Sequence, residues 1–113
     1  MNKKRTIFFF ENYFNDFYAK QSSKVKNKII WTLKIIEEFD RIPDTYLKYL
    51  TNSSGIYEIR VKSGSNIYRI FCFFDAENLV IIGHGFHKKT NKIPKKELEK
   101  AERIKKEYYD TKK

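Results

Sequence analysis

Six side chains between residues 58 and 88 could bind an anion or move a proton: Glu58, Arg60, Arg69, His84, His87 and Lys88. Most are set into runs that otherwise read as apolar strands. A charge inside such a strand must face water, a partner or an anion, because an unpaired buried ion is very costly. One such position can be chance; several on consecutive strands point to a surface that holds something negative. Arginine offers a planar two-pronged donor that stays charged at any relevant pH. The two histidines, with ordinary pKa values near ~6.5, suit proton transfer. Being three apart, they face opposite sides of an extended strand unless a bulge re-aims one. That placement makes a poor metal site, and none is expected.

The elements that must position these groups follow from periodicity. Residues 6–10 (TIFFF) read as a first strand. Tyr13, Phe14, Phe17 and Tyr18 recur at helical spacing. Ser22 or Ser23 caps a second helix whose apolar stripe is Val25, Ile29, Leu33, Ile36 and Phe39, and which must stop near Pro43. The two helices read as an antiparallel hairpin. Residues 44–54 form a connector with one helical turn at 46–50.

Three strands come next. In residues 56–62, Tyr57, Ile59 and Val61 point one way and Glu58, Arg60 and Lys62 the other. Gly64 turns the chain into a strand at 67–74, and a second tight turn leads to a strand at 79–86. Gly83 and Gly85 flank His84 there, a pattern that marks a bulge or a close backbone approach. A last helix opens near Pro94, with Leu98, Ala101, Ile104 and Tyr108 as its narrow apolar stripe. The expectation is one α+β domain over residues 1–113, with helices on one sheet face. The other face, carrying Glu58, Arg60 and Lys62, is expected to lie open.

Composition narrows the function classes. The chain has 113 residues, with 10 Phe and 8 Tyr, too apolar for a disordered segment. Its charge is +10, and the stretch from Lys88 to Lys113 holds 11 basic against 5 acidic residues. Such an excess favours nucleic acid, ahead of an acidic protein or an anionic membrane. A solvated basic helix is the bland alternative. No apolar run reaches the ~18 to 20 residues of a membrane span, and the apolar run after the basic N-terminus is too short for a signal peptide. Cys72 stands alone, so there is no internal disulfide, and it reads as a small buried apolar residue. A cytoplasmic protein is expected.

Three separated motifs carry a resemblance. They are IYEIR at residues 56–60, YRI at 68–70, and FHKKTNKIP at 86–94, followed by a helix with Glu97 and Ala101. In order and spacing they resemble the HigB-like, phage-derived branch of the RelE toxin family, over roughly residues 47–103. The resemblance implies a RelE-like β-α-α-β-β-β fold with a terminal helix. It also implies a toxin of a toxin–antitoxin pair that cuts messenger RNA on the ribosome. The implied partner is a helix-turn-helix antitoxin of HigA-like type, with operator DNA reached only through it. Where relatives often carry Thr before the helix-opening proline, this chain has Ile93, which removes a capping hydroxyl.

Cutting RNA without a metal or other cofactor means helping the ribose 2′-hydroxyl attack the adjacent phosphate. A base, cations for the phosphoryl oxygens and an acid for the leaving oxygen are needed. Arg60 and Arg69 are the candidates to hold the phosphate, though Arg60 could equally be a surface pair with Glu58. His84, His87, Lys88 and Glu58 are the candidates for proton transfer. An arginine-paired Glu58 would be a weak base, and Lys88 beside the arginines would lose its proton more readily. Lys62, Lys89 and Lys92 are candidate RNA-backbone contacts. Tyr68 and Phe86 could stack on a base or simply fill the core. A non-enzymatic binder on the same scaffold, blocking gyrase or binding RNA, is the alternative function, and an inert phage remnant is a third.

Overall fold

A computed structural model describes residues 3–89 and 92–112, so Thr90 and Asn91 of the third motif lie outside the described residues. The elements run β1 (Thr6–Phe9), α1 (Tyr13–Tyr18), α2 (Ser23–Glu38), β2 (Leu47–Tyr49), β3 (Tyr57–Ser63), β4 (Asn66–Phe74), β5 (Leu79–Lys88) and α3 (Lys95–Thr111). They build an α+β fold on one five-stranded sheet of order β1-β5-β4-β3-β2. The β1–β5 pair is parallel and the other three pairs are antiparallel.

Strand alternation creates the first core. Ile59, Val61, Ile70, Cys72, Val80 and Ile82 meet Phe14 and Phe17 of α1 and Val25, Ile29, Leu33 and Ile36 of α2. Each fully buried aliphatic there contributes about 1.5–3 kcal/mol. Helix α2 starts where Ser22 accepts a hydrogen bond from the Val25 amide at 3.3 Å. It ends at Glu38, earlier than Pro43 alone would dictate. Arg5 donates to the carbonyls of Ile36 (3.1 Å), Phe39 (2.7 Å) and Asp40 (3.0 Å), satisfying the orphaned helix end. Phe39 has extended backbone and is 48% exposed, so it is not part of the buried stripe as expected.

Two further expectations are corrected. Residues 47–49 form a strand, not a helical turn, because pairing with β3 satisfies their backbone through Leu47↔Ile59, Lys48↔Glu58 and Tyr49↔Tyr57. The second sheet face is not open along its length. Ala101, Ile104 and Tyr108 of α3 cover Ile56, Phe71, Phe73 and Ile81, which that face would otherwise expose to water. Only the end bearing Arg60, Lys62 and Lys88 stays uncovered.

The glycines of β5 have separate roles. Between Ile70↔Gly85 and Cys72↔Ile82, β4 advances two residues while β5 advances three, which is a bulge. The extra residue resets the alternation. Ile81 and His84, three apart, therefore both face α3, and Phe86 and Lys88 follow. Gly85 faces the other way, where a Cβ would lie 2.6 Å from the Phe17 ring. Gly85→Ala should therefore destabilise the fold by about 1–3 kcal/mol through overpacking. Urea denaturation checks this; an unchanged midpoint would mean that α1 is not pressed onto β5.

Candidate anion-binding groove

Arginines 60 and 69 are direct cross-strand partners on β3 and β4. Like charges so placed repel. Glu58, two residues before Arg60 on the same face, resolves the conflict. Its Oε1 pairs with Arg60 Nε at 3.2 Å and its Oε2 accepts a hydrogen bond from Arg69 Nη1. Glu58 is 1% exposed and Arg69 4%, whereas Arg60 is half-buried. Burial lowers the Arg69 pKa from its ordinary value. Its Nε, also buried, has no hydrogen-bond partner among the described residues.

Around this trio lies a groove of about 720 Å³. Lys48, Arg60, Arg69, Lys88 and Lys92 line one part of it, against the single carboxylate of Glu58. Tyr49, Leu50, Thr51, Asn52, Ile93 and Leu98 complete its lining. The Lys88 pKa is lowered, first by burial and then by the charges of Arg69, Arg60 and Lys48. The arrangement can hold a multivalent anion between two arginines and place beside it an amine that gives up its proton unusually easily.

Of the residues singled out in the sequence, Glu58, Arg60, Arg69, Lys88 and Lys92 meet in this groove. The others do not line it. His84 is 3% exposed beneath α3, ringed by Phe71 and Phe86, with Nε2 3.1 Å from Glu97 Oε1. Its pKa is lowered by burial and by Lys100, against the raising effect of Glu97. His87 points to the opposite face and stacks on Tyr68, ring centroids 4.7 Å apart. Phe86 packs against Phe71 at 5.2 Å. Lys62 and Lys89 are exposed at the strand ends. Lys48, Thr51 and Asn52 were missed, because residues 44–54 read as a mere connector. The one available signal was the alternation of Leu47, Lys48 and Tyr49, too short to stand out.

Glu58 thus holds two cations that face each other across the ladder. Glu58→Ala should destabilise by about 3–5 kcal/mol, since it leaves Arg69 buried and uncompensated. The pair Glu58→Leu with Arg69→Met should recover most of that loss. Urea titration of the two variants against the wild type reads both; a cost below about 1 kcal/mol for Glu58→Ala would show that the pair is not the anchor of this site.

No described helix is long and apolar enough to cross a membrane. No curated protein matches the chain. A family model, that of the phage-derived Gp49-like proteins (DUF891), matches residues 16–106, from α1 to most of α3, and so takes in every residue of the groove. With most of its length matched, the chain belongs to the phage-derived Gp49-like protein family, a RelE-like toxin family.

Proposed function

We propose that this chain is the toxin of a type II toxin–antitoxin system, of the HigB-like branch, and cleaves messenger RNA on the ribosome in the cytoplasm. The observation that carries the reading is the facing pair Arg60 and Arg69, held over Glu58 with Lys88 beside them. The two guanidinium groups hold the scissile phosphate and stabilise charge growing on its oxygens. Neutral Lys88 takes the proton of the ribose 2′-hydroxyl as that oxygen attacks phosphorus. The bond from phosphorus to the 5′-oxygen breaks, leaving a cyclic phosphate, and the 5′-oxygen takes up a proton as it departs. Glu58, consumed by two arginines, is not the base. A helix-turn-helix antitoxin neutralises the basic surface and carries the pair to operator DNA.

A non-catalytic toxin that grips RNA or a protein such as gyrase is the second reading. One observation favours it: neither imidazole faces the groove. Inducing the chain in bacteria and mapping message ends by primer extension separates the two, since codon-phased cuts require the nuclease. Arg60→Ala and Arg69→Ala should each reduce cleavage by about 100-fold or more.

The pH dependence carries a sign. Lys88 acts as the neutral amine, so cleavage rises with pH as its proton leaves, below the ordinary lysine value of 10.5. Lys48→Gln removes a repelling cation, which makes protonation of Lys88 easier and raises its pKa. The rising limb of the rate profile should then move to higher pH. An unmoved limb would take Lys88 out of the reaction.

A further inference from the structure

The groove is several times larger than a phosphate group, and its lining is not all cationic. Besides the cations and Glu58, its lining takes in Tyr49, Leu50, Ile93 and Leu98 together with the polar side chains of Thr51 and Asn52. Leu50 is buried, Ile93 and Leu98 are half-buried, and Thr51 and Asn52 are exposed. Apolar side chains of one cluster, lining the groove together with an amide and a hydroxyl, suit a flat heterocycle with hydrogen-bonding edges.

The turn that presents Thr51 and Asn52 is braced far beyond what a surface connector needs. The Leu50 amide donates to the Ile56 carbonyl at 3.0 Å, and the Ser53 amide donates back to the Leu50 carbonyl at 3.1 Å. The Ser53 hydroxyl donates to the Leu50 carbonyl at 2.6 Å and accepts from the Ile56 amide at 2.9 Å. Gly55, at φ +87°, takes a conformation that a side chain would strain. Helix α3 then clamps the turn from outside. Glu102 accepts from the Ser54 amide at 2.8 Å and from its hydroxyl at 2.5 Å, and Lys105 donates to the Ser54 carbonyl. The same helix supplies Leu98 to the lining. Precise placement of two polar side chains is what such bracing achieves.

We propose that the turn from Leu50 to Ile56 and the start of α3 form a nucleoside subsite of the groove. One base of single-stranded RNA lies on Leu50, Ile93 and Leu98, Asn52 and Thr51 read its edge, and its phosphate reaches Arg60 and Arg69. The proposal rests on the RNA-cleaving reading for its ligand class. It adds that the protein itself discriminates between bases, through a turn outside the cationic cluster. Asparagine's amide, a donor and an acceptor side by side, matches the paired donor and acceptor of adenine best.

The test compares inorganic phosphate with the four 2′-O-methyl homodinucleotides, which cannot be cleaved, by calorimetry on the intact chain. The wild type should bind at least one dinucleotide about tenfold or more tightly than phosphate, and unequally among the four bases. Asn52→Ala, on an exposed side chain, should flatten that preference while phosphate affinity stays within about twofold. Thr51→Ala should act in the same direction. Dinucleotides no tighter than phosphate, or a base preference untouched in both variants, would overturn the subsite. Base-selective binding by a wild type that cuts no message would instead sink the nuclease reading and leave the subsite standing.

Discussion

Between β3 and β4 a carboxylate and a guanidinium lie against each other with almost no access to water, and neither could remain there alone. Removing either partner would strand an ion in a medium where its solvation is lost. This pair, Glu58 with Arg69, accounts for several features at once. It allows Arg60 and Arg69 to sit directly across the ladder despite like charge. It fixes their direction, since Arg69 spends Nη1 on Glu58 and is left with a buried Nε that no described residue engages. It also occupies both Glu58 oxygens, Oε1 with Arg60 and Oε2 with Arg69.

The sheet face around the pair is divided by α3. Where Phe71, Phe73 and Ile81 need cover, Ala101, Ile104 and Tyr108 provide it. At its far end the helix is tied down by Tyr108 to Asp75 at 2.6 Å and by Lys112 to the same carboxylate at 2.5 Å. At its start it stops short of the arginines, and the groove opens there. One helix thus buries the apolar half of a face, edges the charged half and clamps the turn opposite. The bulge in β5 is the matching device on the sheet side. It turns His84 beneath α3 and brings Lys88 to the same face as Arg69. A regular strand continuing from Ile81 would have put Lys88 on the face packed against α1 and α2.

Most of the fold was legible because its signals are local. The period of two in residues 57–63 and the stripes of α2 and α3 place their buried residues directly, and Gly83 and Gly85 advertise an irregular strand. The pairing of Arg60 with Arg69 was half legible: alternation put Arg60 on a polar face, but the face of Arg69 depends on register, which no single strand encodes. The histidines show the limit. Their opposite faces follow from spacing, yet which face holds the charges depends on one inserted residue and on where α3 lies. Strand β2 was invisible for another reason. Three residues are too few for their alternation to stand out, and their conformation is decided by the edge of β3.

The concentration of charge has an energetic consequence for the fold. Five cations line the groove with one carboxylate, four of them projecting from β2, β3, β4 and β5 and Lys92 from the segment before α3. Their repulsion appears locally as the lowered pKa of Lys88, whose charged form its neighbours disfavour after burial has done so. A bound polyanion reverses the sign of that interaction. The folded state alone assembles the cluster, so any anion that prefers it stabilises folding in proportion to its occupancy. A phosphate backbone or an acidic segment seated over the groove would offset that repulsion and so raise the stability of the folded chain.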